Sequence, residues 1–169
     1  MDVQMREARE DELDEIGALT AEVYEELVGP DYLAVLRNAR SRWQVPATTT
    51  YVALDGGTDG LPGRQLLGAV VYAGPGSPWR DIAQGDAEAE FRMLAVLESA
   101  RGRGVGEALV RTCLQRARAE GRARMVLSTT PELKAAHRLY ERLGFSRAEH
   151  RDWMPTSRIR LLAYELELV

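Results

Sequence analysis

The stretch ESARGRGVGEALV, Glu98–Val110, sets three glycines and two arginines within Arg101–Gly106, directly before an amphipathic run. The first turn of a helix carries backbone N–H groups with no intrahelical partner and a partial positive charge. Glycines let such a backbone approach an anion, and arginines add charge beside it. Arg101, Gly102, Arg103, Gly104, Val105 and Gly106 therefore read as a cradle for a phosphate or pyrophosphate. The plainer alternative is a glycine-rich turn from strand to helix with solvated arginines.

The elements on either side fix the context. Downstream, Val105, Ala108, Leu109, Cys113 and Ala117 share one face of a helix expected from about Gly104 to Glu120. RMVLST from Arg124 reads as a buried strand, and a helix opened by Pro131 carries Ala136, Leu139, Tyr140 and Leu143 on one face. Gly144 suits a left-handed C-terminal cap, and Phe145 begins another strand. IRLLAYELEL from Ile159 closes the sheet.

Upstream, AEFRMLAV from Ala89 reads as a strand, preceded by a Gly/Pro loop over 74–85 that holds Trp79. TTTYVALD from Thr48 and QLLGAVVYA from Gln65 form an antiparallel hairpin across the turn cluster GGTDGLPG. A first strand is expected over 4–9. Helices are expected over the run Leu13, Ile16, Leu19, Val23, Leu27 and from Asp31 to about Trp43. This order gives a mixed α/β domain covering 1–169, with a right-handed parallel crossover over 89–129.

Composition narrows the function. The chain is 169 residues long, 45% hydrophobic and 28% charged, which suits one domain with a real core. A net charge of -4 argues against a general nucleic-acid partner. The single cysteine, Cys113, leaves no disulfide framework or cysteine zinc cluster, and no metal site is expected. No apolar run approaches the ~20 residues that span a bilayer. The N-terminus lacks a signal-peptide core, so a cytoplasmic protein without a membrane partner is expected. A P-loop would need a Gly-Lys pair, and none occurs. A Rossmann fingerprint fails because Glu107 or Leu109 stands where its third glycine belongs.

Arg101-x-x-Gly104-x-Gly106, shortly after Leu94-Ala95-Val96, resembles motif A of the GCN5-related N-acetyltransferases, the GNAT superfamily. AAHRLYERLGF, Ala135–Phe145, resembles the A-x-x-x-Y-x-x-x-G-F block of the same family. The resemblance implies a mostly antiparallel seven-stranded mixed sheet with a splayed parallel pair and helices on both faces. It also implies acetyl-CoA as cosubstrate, with its pyrophosphate in the 101–106 loop. In that fold the splay leaves backbone groups unpaired. The pantetheine arm can pair with them as a pseudo-strand, and backbone groups of Leu94, Ala95 and Val96 are the candidates.

Acetylation of an amine needs a neutral nucleophile, a donor to the thioester oxygen and a proton for the thiolate. The N–H of Ala95 or Val96 is the candidate donor. Glu90 matches a glutamate that serves as base in several members, and its even spacing from Leu94 and Val96 places all three on one strand face. Glu88 is the substitute base, and a solvated strand-end charge is the competing account of Glu90. Tyr140 matches the family tyrosine that protonates the thiolate, although an aromatic on an apolar helix face is also ordinary core.

Several positions are weaker. Leu133 stands where many relatives carry asparagine, so that contact is either missing or supplied by Ser128 or Thr130. Lys134 and Arg138 can reach the 3′-phosphate end of the cofactor, though a charged helix surface also explains them. His137 is expected to be exposed, neither it nor His150 has metal-ligand spacing, and Trp79 and Trp153 are candidate pocket walls. Asp81, Asp86, Glu88 and Glu90 hint at a cationic acceptor.

The expected activity is direct N-acetyl transfer to an amine of a small molecule, peptide or protein. An exposed edge strand near the C-terminus permits a homodimer. A non-catalytic acyl-CoA-binding or regulatory module is the alternative.

Overall fold

The computed structural model describes residues 3–55 and 65–168. Twelve elements follow one another. They are β1 (Val3–Glu7), α1 (Leu13–Tyr24), α2 (Pro30–Arg37), β2 (Thr48–Asp55), β3 (Leu66–Ala73) and β4 (Glu88–Val96), then α3 (Val105–Ala119), β5 (Arg124–Thr129), α4 (Lys134–Arg142), β6 (Ser146–Arg147), β7 (Trp153–Thr156) and β8 (Ile159–Glu167). The sheet runs β1-β2-β3-β4-β5-β8-β6, and β7 pairs with β8 off that path. Every pair is antiparallel except β4 with β5.

Central β3, LLGAVVYA, is buried at every position. Such a strand reads as a continuous apolar run because helices cover both of its faces. Leu67, Val70 and Tyr72 join Leu109, Cys113 and Tyr140 on the α3–α4 side, while Leu66 and Ala69 meet Leu13, Ile16 and Leu19 of α1. Cys113 is thus a core residue, its thiol pushed up by burial.

Helix α2 ends at Arg37, short of the expected Trp43. The cause is Arg42, buried in a following 3-10 turn, whose guanidinium donates to the carbonyls of Val35, Leu36 and Asn38 at 2.8–3.2 Å. Those carbonyls lie at the helix end, where no further α-helical turn donates N–H groups to them. Pro131 precedes α4 by a turn rather than opening it, because Leu133 is the N-cap. Strand β7 was not expected: it is four residues with an internal proline, and it pairs only at Trp153↔Leu161 and Thr156↔Ile159. The cluster GGTDGLPG lies outside the described residues, but the strands on either side of it pair antiparallel as expected, from Thr48↔Ala73 to Leu54↔Leu66 with a shift between Ala53 and Leu54.

Two irregularities in β4 shape the centre of the molecule. Its parallel pairing with β5 stops after Glu88↔Arg124, Ala89↔Met125 and Glu90↔Val126, so the strands part beyond Glu90. Its register with β3 also slips, from Val71↔Arg92 to Ala69↔Ala95, which inserts one extra residue. Met93 takes up that residue with φ +57, a β-bulge. The extra residue resets the alternation of side chains. Glu90 turns toward the 81–83 loop and Arg92 toward Tyr32 of α2, whereas Leu94 and Val96 pack on the α3–α4 side. The expectation that Glu90, Leu94 and Val96 share a face is therefore corrected.

Candidate active site

The glycine-rich loop is built as an open cradle. Gly102 and Gly104 have φ +79 and +80, which favours glycine over any residue with a side chain. The first helical bond runs from the Ala108 N–H to the Gly104 carbonyl, and no side chain caps the helix. The N–H groups of the first turn of α3 are therefore free for a ligand. Arg101 and Arg103 are exposed beside them. A Cβ on Gly106 would lie 3.4 Å from Leu139 and 3.6 Å from Val96, so the cradle sits at the open end of the β4–β5 gap.

Backbone direction along the edge of that gap follows from one bond. The Leu97 N–H donates to the Leu67 carbonyl at 2.8 Å. In an antiparallel pair, successive peptide groups alternate between the partner and the free edge. Ala95, two residues earlier and opposite Ala69, therefore turns its N–H and C=O toward β3. Val96 turns both groups into the gap. The Leu94 carbonyl also faces away from β3 and accepts the Tyr24 hydroxyl at 2.9 Å. Of the three backbone positions expected to meet the pantetheine arm, Ala95 is occupied within the sheet and Leu94 is half-occupied. Val96 presents a complete donor–acceptor pair.

Beside the gap lies a cavity of about 230 Å³, walled by α1 and α2, the parted strands and the β7–β8 hairpin. Tyr140 reaches it from α4. Its ring packs edge-on with Phe91 and Phe145, at centroid distances of 5.8 and 5.9 Å. Burial, with Tyr24 and Tyr164 nearby, raises its pKa, so the hydroxyl holds its proton. Ser128, Thr129 and Thr130 line the same cavity at the end of β5. Ser128 accepts the Trp153 indole N–H at 3.1 Å, and the buried hydroxyls of Thr129 and Thr130 have no partner.

Three carboxylates come near, and they differ. Glu90 is fully buried, and its Oε1 accepts the N–H groups of Asp81, Ile82 and Ala83 at 2.9–3.0 Å. Burial raises its pKa against the pull of those donors. It holds the 81–83 loop and does not line the cavity. Glu88 is pushed up by burial, but hydrogen bonds from Arg151 and Arg124 and the Gln84 N–H outweigh this and hold it at about 2. A carboxylate so stabilised is a poor proton acceptor. Asp81 does line the cavity, 3.1 Å from Arg92. Burial raises its pKa more than Arg92 lowers it. The acidic cluster is thus not a basin for cations, since two of its members are tied into the fold.

Other expectations sort plainly. Trp153 lines the cavity, while Trp79 packs under Arg92 with the guanidinium 5.7 Å from its ring. His137 is buried rather than exposed, pairing with the Thr130 carbonyl at 2.9 Å and packing on Tyr164. Lys134 and Arg138 are exposed on α4, as is His150 in its 3-10 turn. Tyr24, Tyr32 and Arg92 were missed as pocket residues, and Asp81 was singled out only as one of an acidic cluster. A signal was available for Arg92, a cation inside the otherwise apolar run Phe91–Val96. Tyr24 and Tyr32 looked like ordinary helix aromatics. No group of three metal-ligating side chains occurs among the described residues.

A mixed sheet opened by a splay, with an uncapped glycine-rich turn at its mouth and a tyrosine beside a partly open cavity, has the architecture of the acyl-CoA-type transferases. The acetyltransferase (GNAT) family profile matches residues 10–145, and the chain belongs to that family. A GCN5-related N-acetyltransferase from Kribbella flavida superposes with a TM-score of 0.73 at 25% identity, covering 98% of this chain and 97% of its own. The protein yncA of Salmonella typhimurium, solved with its cofactor acetyl-CoA, shares the fold with a TM-score of 0.66 at 18% identity, covering 100% and 95%. N-acetyltransferase 8F1 of Rattus norvegicus is 35% identical over 89 residues, 53% of this chain. The match spans only 38% of that relative's length. No helix among the described residues is long and apolar enough to cross a membrane.

Proposed function

We propose that this protein transfers the acetyl group of acetyl-CoA to an amine by direct attack within a ternary complex. The observation that carries the reading is the coincidence of three features in one gap: the free first turn of α3, the unpaired N–H and C=O of Val96, and Tyr140 beside the cavity. The residues present fit the cosubstrate. The N–H groups of Gly104, Val105 and Gly106, with Arg101, Gly102 and Arg103, suit its pyrophosphate. Val96 and the orphaned hydroxyls of Thr129 and Thr130 suit the amides of its pantetheine arm.

When bound, acetyl-CoA supplies the thioester carbon, to which the amine nitrogen bonds as the carbon–sulfur bond breaks. Asp81 takes a proton from the incoming ammonium, which frees the lone pair. Tyr140 gives its hydroxyl proton to the departing sulfur and recovers one from the acylated nitrogen, so one proton is released overall. Asp81 replaces Glu90 and Glu88 as the proposed base, because it alone of the three faces the cavity. Glu90 acts by holding Asp81's loop.

Release of free thiol from acetyl-CoA with a panel of amines tests the reading. Tyr140→Phe should lower kcat about 10- to 100-fold with CoA affinity unchanged. Binding of CoA without thiol release for any amine would favour a cofactor-binding module instead.

A further inference from the structure

We propose that the acceptor is an α-amino acid with an apolar side chain, gripped as a zwitterion by the adjacent Asp81 and Arg92. The proposal deepens the acetyl-transfer reading and rests on it. Among the described residues, Asp81 and Arg92 are the acidic and basic side chains lining the cavity, and they stand 3.1 Å apart. An α-amino acid likewise carries its ammonium and carboxylate on neighbouring atoms. Laid head to tail against the pair, each of its charges meets the opposite one.

Arg92 is held to receive a carboxylate. Its guanidinium donates to the Trp79 carbonyl at 3.1 Å and to the Tyr32 hydroxyl at 2.7 Å. Since the Tyr32 oxygen accepts from Arg92, its own hydrogen remains to donate beside the guanidinium. Asp81 is held as firmly, because its N–H and the next two are fixed by Glu90. The pair is therefore preorganised before any ligand arrives.

Charge balance separates acceptor classes. The pair is neutral, and a zwitterion keeps it so. A bare alkylammonium would leave one uncompensated charge in a largely apolar cavity, which is costly. Polyamines would need several acids, yet Glu88 is paired with Arg124 and Arg151 and Glu90 faces the loop. Beyond the pair, Val28, Leu36, Met93, Trp153, Ile159 and Leu161 form an apolar wall. Among the described residues, no second cation lines it to meet an acidic side chain. The volume of about 230 Å³ falls below the ~300–1,000 Å³ of drug-sized sites, which suits a molecule of amino-acid size.

The test compares L-phenylalanine, phenethylamine and L-glutamate as acceptors, by thiol release and by calorimetry in the presence of CoA. L-phenylalanine should exceed both others in kcat/KM by about 100-fold or more, since a site built to hydrogen-bond a group rejects analogues that lack it. Arg92→Gln should collapse the L-phenylalanine to phenethylamine ratio toward one, and Arg92→Lys should keep part of it. That ratio is independent of how much variant folds. Equal or better use of phenethylamine by the parent, or an unchanged ratio in Arg92→Gln, would overturn the proposal while leaving acetyl transfer intact. If no amine releases thiol, acetyl transfer fails. Tighter binding of L-phenylalanine than of phenethylamine would then still uphold the zwitterion site, and binding of neither would overturn it.

Discussion

Replacing Gly104 with alanine asks whether the left-handed turn before α3 exists for its own stability or for a ligand. Space is not at issue, since a Cβ there meets nothing within 4 Å. Conformation is, because φ +80 costs a residue with a side chain ~1–2 kcal/mol. In the free protein the exposed loop can relax and shed part of that strain. Binding must then restore the turn, and the relieved part returns as lost affinity. The loss of stability and the loss of CoA binding should therefore sum to ~1–2 kcal/mol, or a drop in Tm of up to ~4–8 °C shared with an increase in Kd of up to ~30-fold. Gly121→Ala is the internal control. Gly121 has φ +76 and the same open surroundings, but it lies at the far end of α3. It should lower Tm alone. Differential scanning calorimetry and titration calorimetry with CoA read the two quantities. Should Gly104→Ala leave CoA affinity unchanged while lowering Tm as Gly121→Ala does, the loop would be a plain turn and the cradle argument would fail.

Asp81→Asn should lower kcat/KM ~10²- to 10⁴-fold and abolish an acid limb that, in the parent, is displaced upward by the burial of Asp81; a pH–rate profile checks both. Glu88 links pH to stability in the opposite direction. Its folded pKa of about 2 lies below the unfolded value of about 4.3, so its contribution is complete above that value and fades as pH falls toward 2. The Tm difference between the parent and Glu88→Gln should accordingly shrink from pH 6 to pH 2, as followed by thermal melts.

Residues 98–110 and 135–145 disclosed the family, because both are local. Glycine spacing and helical periodicity are properties of neighbouring residues, and they brought with them the strand order, the cradle and Tyr140. Backbone direction in the gap was not local. Whether Ala95 or Val96 faces β5 depends on the register with β3, and that register is shifted by Met93, whose side chain gives no hint of a positive φ.

The same shift moved Glu90 away from Leu94 and Val96 and under the 81–83 loop. There, three N–H groups make it a structural anion, while Asp81, nine residues earlier, enters the cavity. Sequence by itself determined most of the elements and the glycine-rich turn before α3, since those depend on residues in contact along the chain. Tertiary structure alone decided which carboxylate lines the cavity and which peptide groups face the gap between β4 and β5. Both depend on how strands far apart in sequence slide and separate.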